Sequence, residues 1–230
     1  MIPLNIMGFM NFLFISVWLW SSWCFAGTDL DARLADYGKG AQETFLYIAS
    51  KASSIAKLDI LDKNFKQLKS MHNRDSDDFL AASYAGLYAA WRCRETKDLV
   101  KLNGFAQESI PLLDEGVNKA KRAGHSKALL AALKNRLEIY TNLPSAFGKN
   151  YIAKQDIELA LQELAKVNPS DQEKIQFELL AIRVLAITDR VDEAKKRLEK
   201  LKKDKKFDAA AMAFELSTAQ DILVKNAEKK

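Results

Sequence analysis

Helix breakers and reactive side chains are both scarce in this chain. Only 4 prolines and 9 glycines are spread over 230 residues, 48% of which are hydrophobic. A turn-rich β fold needs more of both breakers, so the composition favours long helices built from Ala, Leu, Lys, Glu and Gln. The 2 histidines, His72 and His125, belong to no cluster of metal ligands, and no metal is expected. The 2 cysteines, Cys24 and Cys93, supply neither a disulfide framework nor metal-ligand spacing. Also missing are a glycine-rich nucleotide fingerprint, a G-x-S-x-G elbow, an H-E-x-x-H pair and a Cys-x-x-Cys pair, so no cofactor is implied. Gly38-Lys39-Gly40 lacks the glycine spacing and the Lys-Ser/Thr end of a phosphate-binding loop and reads as a flexible joint. The net charge of +5 is mild, and bases alternate with acids along most of the chain, which argues against nucleic acid as a partner. An enzyme is therefore not the expectation.

Charge is absent altogether from residues 1–26, which contain no Asp, Glu, Lys or Arg. From Met7 the chain runs apolar through Trp18, Trp20 and Trp23, then turns polar at Gly27-Thr28-Asp29. Cys24 and Ala26 flank Phe25 as small residues flank a bulky one at a signal-peptidase site, so cleavage after Ala26 is expected. The competing reading is a membrane anchor over residues 7–26, because about 20 apolar residues can span a bilayer. Both readings send residues 27–230 to the periplasm or another exported location as a single helical domain, with membrane contact only where residues 1–26 remain attached.

What is abundant is helical periodicity. Phe45, Ile48, Ala52 and Ile55 recur at helical offsets, as do Leu58, Leu61, Phe65 and Leu68, which predicts one or two helices over Ala41 to Met71. Ser76-Asp77-Asp78 starts the next helix, with acids where the helix dipole favours them. That helix is rich in small residues: Ala81, Ala85 and Ala89 share one face and Ala82, Gly86 and Ala90 the next, which lets a neighbour approach closely. Asp98 to Lys121 reads as a long helix disturbed at Pro111, either kinked or restarted from Ser109 as a cap. Ser126 to Tyr140 carries the stripe Leu129, Leu133, Leu137 and Tyr140. A final helix over Phe207 to Asn226 carries Met212, Leu216, Ala219 and Leu223. No stretch alternates as a strand would, so the fold class is all-α.

Two segments end alike. Ile157, Leu161 and Leu164 are followed by Pro169, and Ala194, Leu198 and Leu201 repeat the same four and three offsets without a closing proline. This spacing resembles helix B of a tetratricopeptide repeat, and Ala181, Ile182 and Leu185 stand where helix A of such a repeat puts its packing residues. The resemblance covers residues 126–204. Ile157 and Ala194 are 37 residues apart against the family's ~34, and the Trp and Leu-Gly pair of the usual helix A are missing. The resemblance implies antiparallel helix pairs stacked as a TPR-like α-solenoid, with a concave face that binds peptides or partner proteins. It carries over no binding residue.

Few constellations suggest chemistry. Tyr84, Tyr88 and Trp91 form an aromatic stripe, with Arg92 one turn after Tyr88 as an anion partner, and this is the candidate site for a small ligand. The plainer reading is a core stripe. Cys93 sits between Arg92 and Arg94, which would lower its pKa and make it reactive; the plainer reading is a half-buried thiol. Each histidine falls at a helix boundary, as a surface or capping residue does. Lys195 to Lys206 holds eight basic residues, to be read as a solvated helix face with intrahelical ion pairs. The expected function is an exported scaffold that binds an envelope protein and performs no chemistry. The alternative is a ligand-binding accessory of a transporter, with its pocket around Tyr84, Tyr88 and Trp91.

Overall fold

A computed structural model describes residues 29–144, 147–210 and 212–227. The expected signal peptide or anchor, residues 1–26, lies outside these. The described residues form nine helices and no strand. They are α1 (residues 29–49), α2 (Ser54–Arg74), α3 (Phe79–Arg94), α4 (Leu99–Ala123), α5 (Ser126–Tyr140), α6 (Asn150–Leu164), α7 (Asp171–Ile187), α8 (Val191–Lys202) and α9 (Ala213–Ala227). Among them no helix is long and apolar enough to cross a membrane.

Side-chain caps define several of the starts. Ser53 accepts from Ala56 N, Asp78 from Ala81 N, and Asp98 from Val100 N and Lys101 N, each satisfying amide groups the first turn leaves open. Ser170 and Glu173 form a reciprocal capping box at α7. Gly124 closes α4 at φ 68°, a conformation that favours glycine. His125 caps α5, its Nδ1 accepting from Ala128 N at 3.3 Å.

Four expectations need correction. Gly38-Lys39-Gly40 is no joint: α1 runs straight through it, because both glycines lie under the hydroxyls of Tyr84 and Tyr88. Ser109 does not restart a helix at Pro111. The α4 helix is continuous, and the Ser109 hydroxyl donates to Gly86 O at 2.8 Å, fastening α4 to α3. Ile55 leaves the stripe of Phe45 and Ile48, since the chain turns at residues 50–53 and leaves Ile55 exposed. In α6 the buried face is Ala153, Asp156, Ile157, Ala160 and Glu163. Leu161 is on the surface, because Arg136 and Ser126 draw the two carboxylates inward.

Consecutive helices pack on one another from α2 through α9. A second set of contacts joins alternate odd helices, α3 with α5, α5 with α7, and α7 with α9. The α1 helix belongs beside α3 and runs parallel to it. Arg33 meets Asp78 at 3.2 Å at one end, and the Phe45 and Trp91 rings lie 5.9 Å apart at the other. The helices α3 and α7 are therefore enclosed on several sides. Phe79 to Arg92 is buried without a break. One face of α7 (Phe177, Leu180, Ala181, Val184) joins the core shared with α1 to α6. The other (Ile175, Leu179, Ile182, Leu185) joins a second core with α8 and α9. A helix apolar all round is a buried helix, as these two are.

The closest approach is between α3 and α4. A Cβ on Gly86 would fall 2.8 Å from Leu113 Cγ, and one on Gly116 would fall 2.8 Å from Ser83 Cβ. Two glycines, one on each helix, thus let the backbones meet. The α9 helix then returns toward the start of the described chain: the Phe214 ring packs edge-on to Phe45 with centroids 4.5 Å apart, and Arg94 lies over its face.

Candidate functional site

The stripe predicted on α3 faces α1. Tyr84 packs on Tyr37, with ring centroids 5.6 Å apart, and the Tyr37 hydroxyl donates to Asp78 Oδ2 at 2.9 Å. Burial pushes the Tyr84 phenol up to about 12. The Thr44 hydroxyl donates to Gly40 O at 2.8 Å and accepts from Asn64 Nδ2 at 2.9 Å. Its proton being committed, Tyr88 is the donor in the 3.3 Å contact between the two hydroxyls. Trp91 meets Tyr88 edge-on at 5.4 Å, and its buried indole N–H has no acceptor among the described residues.

Arg92 points away from this stripe. Its Nη1 donates to Asp62 Oδ1 at 2.8 Å and its Nη2 to Glu108 Oε2 at 2.5 Å. The Phe65 and Phe105 rings sandwich the guanidinium, centroids 4.0 and 4.1 Å from its central carbon. Flat cations stack on aromatic faces and match carboxylates with their edges, and here both uses are taken by α2 and α4. So the four predicted residues stand together on α3. All four are buried, and Nη1 and Nη2 of Arg92 are spent on Asp62 and Glu108.

The other candidates resolve as follows. Cys93 is half-buried, the plainer of the two readings, and burial raises its pKa more than Arg92 lowers it. His125 is a cap, as expected. His72 is neither a cap nor on the surface: it is buried, with Nε2 3.2 Å from Glu115 Oε2. In the basic stretch, Lys202 pairs with Glu199 at 3.2 Å, Lys206 reaches Asp171 on α7 and Arg197 pairs with Glu178. This fits a solvated face pinned by ion pairs.

Two charged clusters went unread in the sequence. Arg136 on α5 makes a double hydrogen bond to Asp156 on α6, at 2.7 and 2.5 Å, and a third to Asp114 on α4 at 2.9 Å. The Tyr140 hydroxyl donates to the same Asp114 oxygen at 2.7 Å, and Lys149 Nζ lies 3.5 Å from the other. Burial raises the Asp156 carboxyl, and the hydrogen bonds from Arg136 work against it. In the second cluster Arg183 on α7 is 1% exposed, donates to Glu138 O at 3.0 Å and leaves its Nε without a partner among the described residues. Lys134 donates to Gln176 Oε1 at 2.7 Å, and burial lowers the pKa of both cations while Glu138 and Glu215 oppose it. The available signal was a charge set inside an apolar stripe: Arg136 beside Leu133 and Leu137, Arg183 between Ile182 and Val184.

Chemically, these clusters are cross-links. Arg136 meets carboxylates on α4 and α6, Arg183 meets Glu138 on α5 and Lys134 meets Gln176 on α7; among the described residues no group of His, Cys, Asp and Glu could hold a metal ion. Comparison with protein-family models, with curated proteins and with solved structures finds no match to the chain.

Proposed function

We propose that the chain is an exported helical-repeat scaffold that binds a partner protein and performs no chemistry of its own. The observation that carries this reading is the packing order. Each of α3, α5 and α7 meets both its sequence neighbours and the next odd helix. That order is what stacked helix pairs produce: one layer of first helices and a second layer of returning helices, as in a TPR-like solenoid. The four-and-three stripe of Ala194, Leu198 and Leu201 supports it, since all three are buried against α7 and α9. So does the seating of α9, whose Ala219, Ile222 and Leu223 pack on α7. A layer that takes an apolar helix from its own chain has the chemistry to take one from a partner.

In-cell crosslinking of the full-length protein, with the recovered proteins identified by mass spectrometry, tests the proposal. One or two stoichiometric envelope proteins are expected, with crosslinked lysines clustered on one face. Recovery of the chain alone would overturn it.

One observation favours a second reading, a small ligand near the predicted stripe. The Trp91 indole N–H is buried without an acceptor among the described residues, beside Phe45 and Tyr88, and a ligand oxygen would satisfy it. Binding there predicts a change in tryptophan emission on titration with extracts of small molecules, lost in Trp91→Phe.

A further inference from the structure

The antiparallel order of α1 to α4 brings the end of α1, the start of α2, the end of α3 and the start of α4 to one edge of the molecule. Contacts across that edge tie it together: Phe45 on α1 meets Trp91 on α3, and Cys93 Sγ lies 3.7 Å from Leu102 O on α4. Four large aliphatic side chains on this edge face outward. Leu46 is 62% exposed, Ile55 74%, Leu99 80% and Val100 83%. Single exposed leucines are ordinary on a protein surface; branched aliphatics from three helices sharing one edge are not.

The charge around them is predominantly positive. The two stretches that build the edge, residues 46–58 and 91–102, contain six cations against the carboxylates Glu95 and Asp98. Asp98 is engaged in capping α4, and Arg92 is turned inward to Asp62 and Glu108. Lys51, Arg94, Lys97 and Lys101 are exposed. None of the four pairs with a carboxylate among the described residues, and Arg94 lies over the Phe214 ring instead.

We infer that this edge docks on an anionic lipid surface, Leu46, Ile55, Leu99 and Val100 entering the headgroup boundary while Lys51, Arg94, Lys97 and Lys101 meet the phosphates. Aliphatic side chains ringed by unpaired cations fit both halves of such a surface. A bilayer takes up apolar groups below a layer of negative charge, and each basic residue near it adds to the attraction. An acidic protein would satisfy the cations, but its surface would have to supply a matching apolar pocket as well. The inference stands apart from the scaffold reading and adds a location to it.

The test uses the full chain with Cys24→Ser and Cys93→Ser, so that Leu99→Cys carries the only thiol for an environment-sensitive fluorophore. Vesicles containing phosphatidylglycerol are expected to shift its emission to the blue. Phosphatidylcholine vesicles should not, and the same label at Gln162→Cys, on the exposed part of α6, should stay unchanged. Lys51→Gln, Lys97→Gln and Lys101→Gln together should weaken vesicle partition at low salt on the order of 100-fold. These residues are exposed, so circular dichroism should be unaltered. Co-sedimentation without a shift at position 99 would assign binding to the apolar stretch 7–26 and overturn the inference. An equal shift on neutral vesicles, no shift on any vesicle, or a shift with polyglutamate alone would overturn it too, the last pointing to an acidic protein.

Discussion

Replacing Gly86 by alanine sets two known effects against each other at one atom. In an exposed helix interior, Gly→Ala stabilises by about 1 kcal/mol, because alanine restricts the unfolded chain and favours the helix. At Gly86 the new methyl would stand 2.8 Å from Leu113 Cγ, 3.0 Å from Leu113 N and 3.1 Å from Leu113 Cδ2. The leucine side chain can turn aside, but its backbone nitrogen belongs to α4 and moves only if the whole crossing opens. Opening it stretches the Ser109 bond to Gly86 O, worth about 1 kcal/mol, and overpacking of this kind costs about 1–3 kcal/mol. The net expectation for Gly86→Ala is a loss of about 1–3 kcal/mol. Gly116→Ala should behave alike, since its methyl meets Ser83 Cβ at 2.8 Å and the Ser83 backbone at 3.0 Å. Gly104, on the same α4 helix, has nothing within 4 Å of its Cβ position, so Gly104→Ala should gain about 1 kcal/mol. Urea unfolding followed by circular dichroism measures all three, with an unchanged slope marking a change in stability alone. If Gly86→Ala is as stable as the parent while Gly104→Ala gains, the backbones of α3 and α4 are not in contact, and the account of this core is wrong.

Three further expectations follow from the charged clusters and the phenols. Arg92→Ala empties the slot between Phe65 and Phe105 and strands Asp62 and Glu108; because both carboxylates remain partly solvated, the loss should be about 2–3 kcal/mol in thermal unfolding, and Arg92→Lys should recover little of it. Arg136→Ala leaves the buried Asp156 carboxylate unpaired and should cost about 3–5 kcal/mol, whereas Arg136→Met with Asp156→Leu should restore most of it. A double substitution no better than the single one would mean that the pair is required as such. Burial comes first in raising the phenols of Tyr37, Tyr84, Tyr88 and Tyr140, so the fold favours their neutral form. The stability this adds is intact below the ordinary phenol value of 10.0 and, for Tyr84, is lost as the pH rises through about 12. Phenolate absorbance near 295 nm should lag behind that of the urea-unfolded chain across this range; coincident curves would refute the burial of these rings.

Periodicity and caps, both local, were enough to read most of the helices. The span of α5 and the starts at Asp78 and Asp98 follow from side chains within a turn of each boundary. The buried trio Ala194, Leu198 and Leu201 follows from spacing. The failures share a cause, which is that the deciding partner is far away in sequence. Gly38 and Gly40 look like a joint until the tyrosines of α3 cover them, and Ser109 looks like a cap until Gly86 O accepts its proton. The apolar stripe of α6 at Leu161 gives way to a face with two acids, because Arg136 and Ser126 wait on α5. The candidate site divides along the same line. That Tyr84, Tyr88 and Trp91 share a face was fixed by offsets of four and three on a helix. Whether that face met solvent or α1, and whether Arg92 met a ligand or Asp62 and Glu108, depended on partners as far away as Glu108, 16 residues from Arg92, and Thr44, 44 residues from Tyr88. A helix determines which of its side chains point together, and only the packing of other helices determines what they point at.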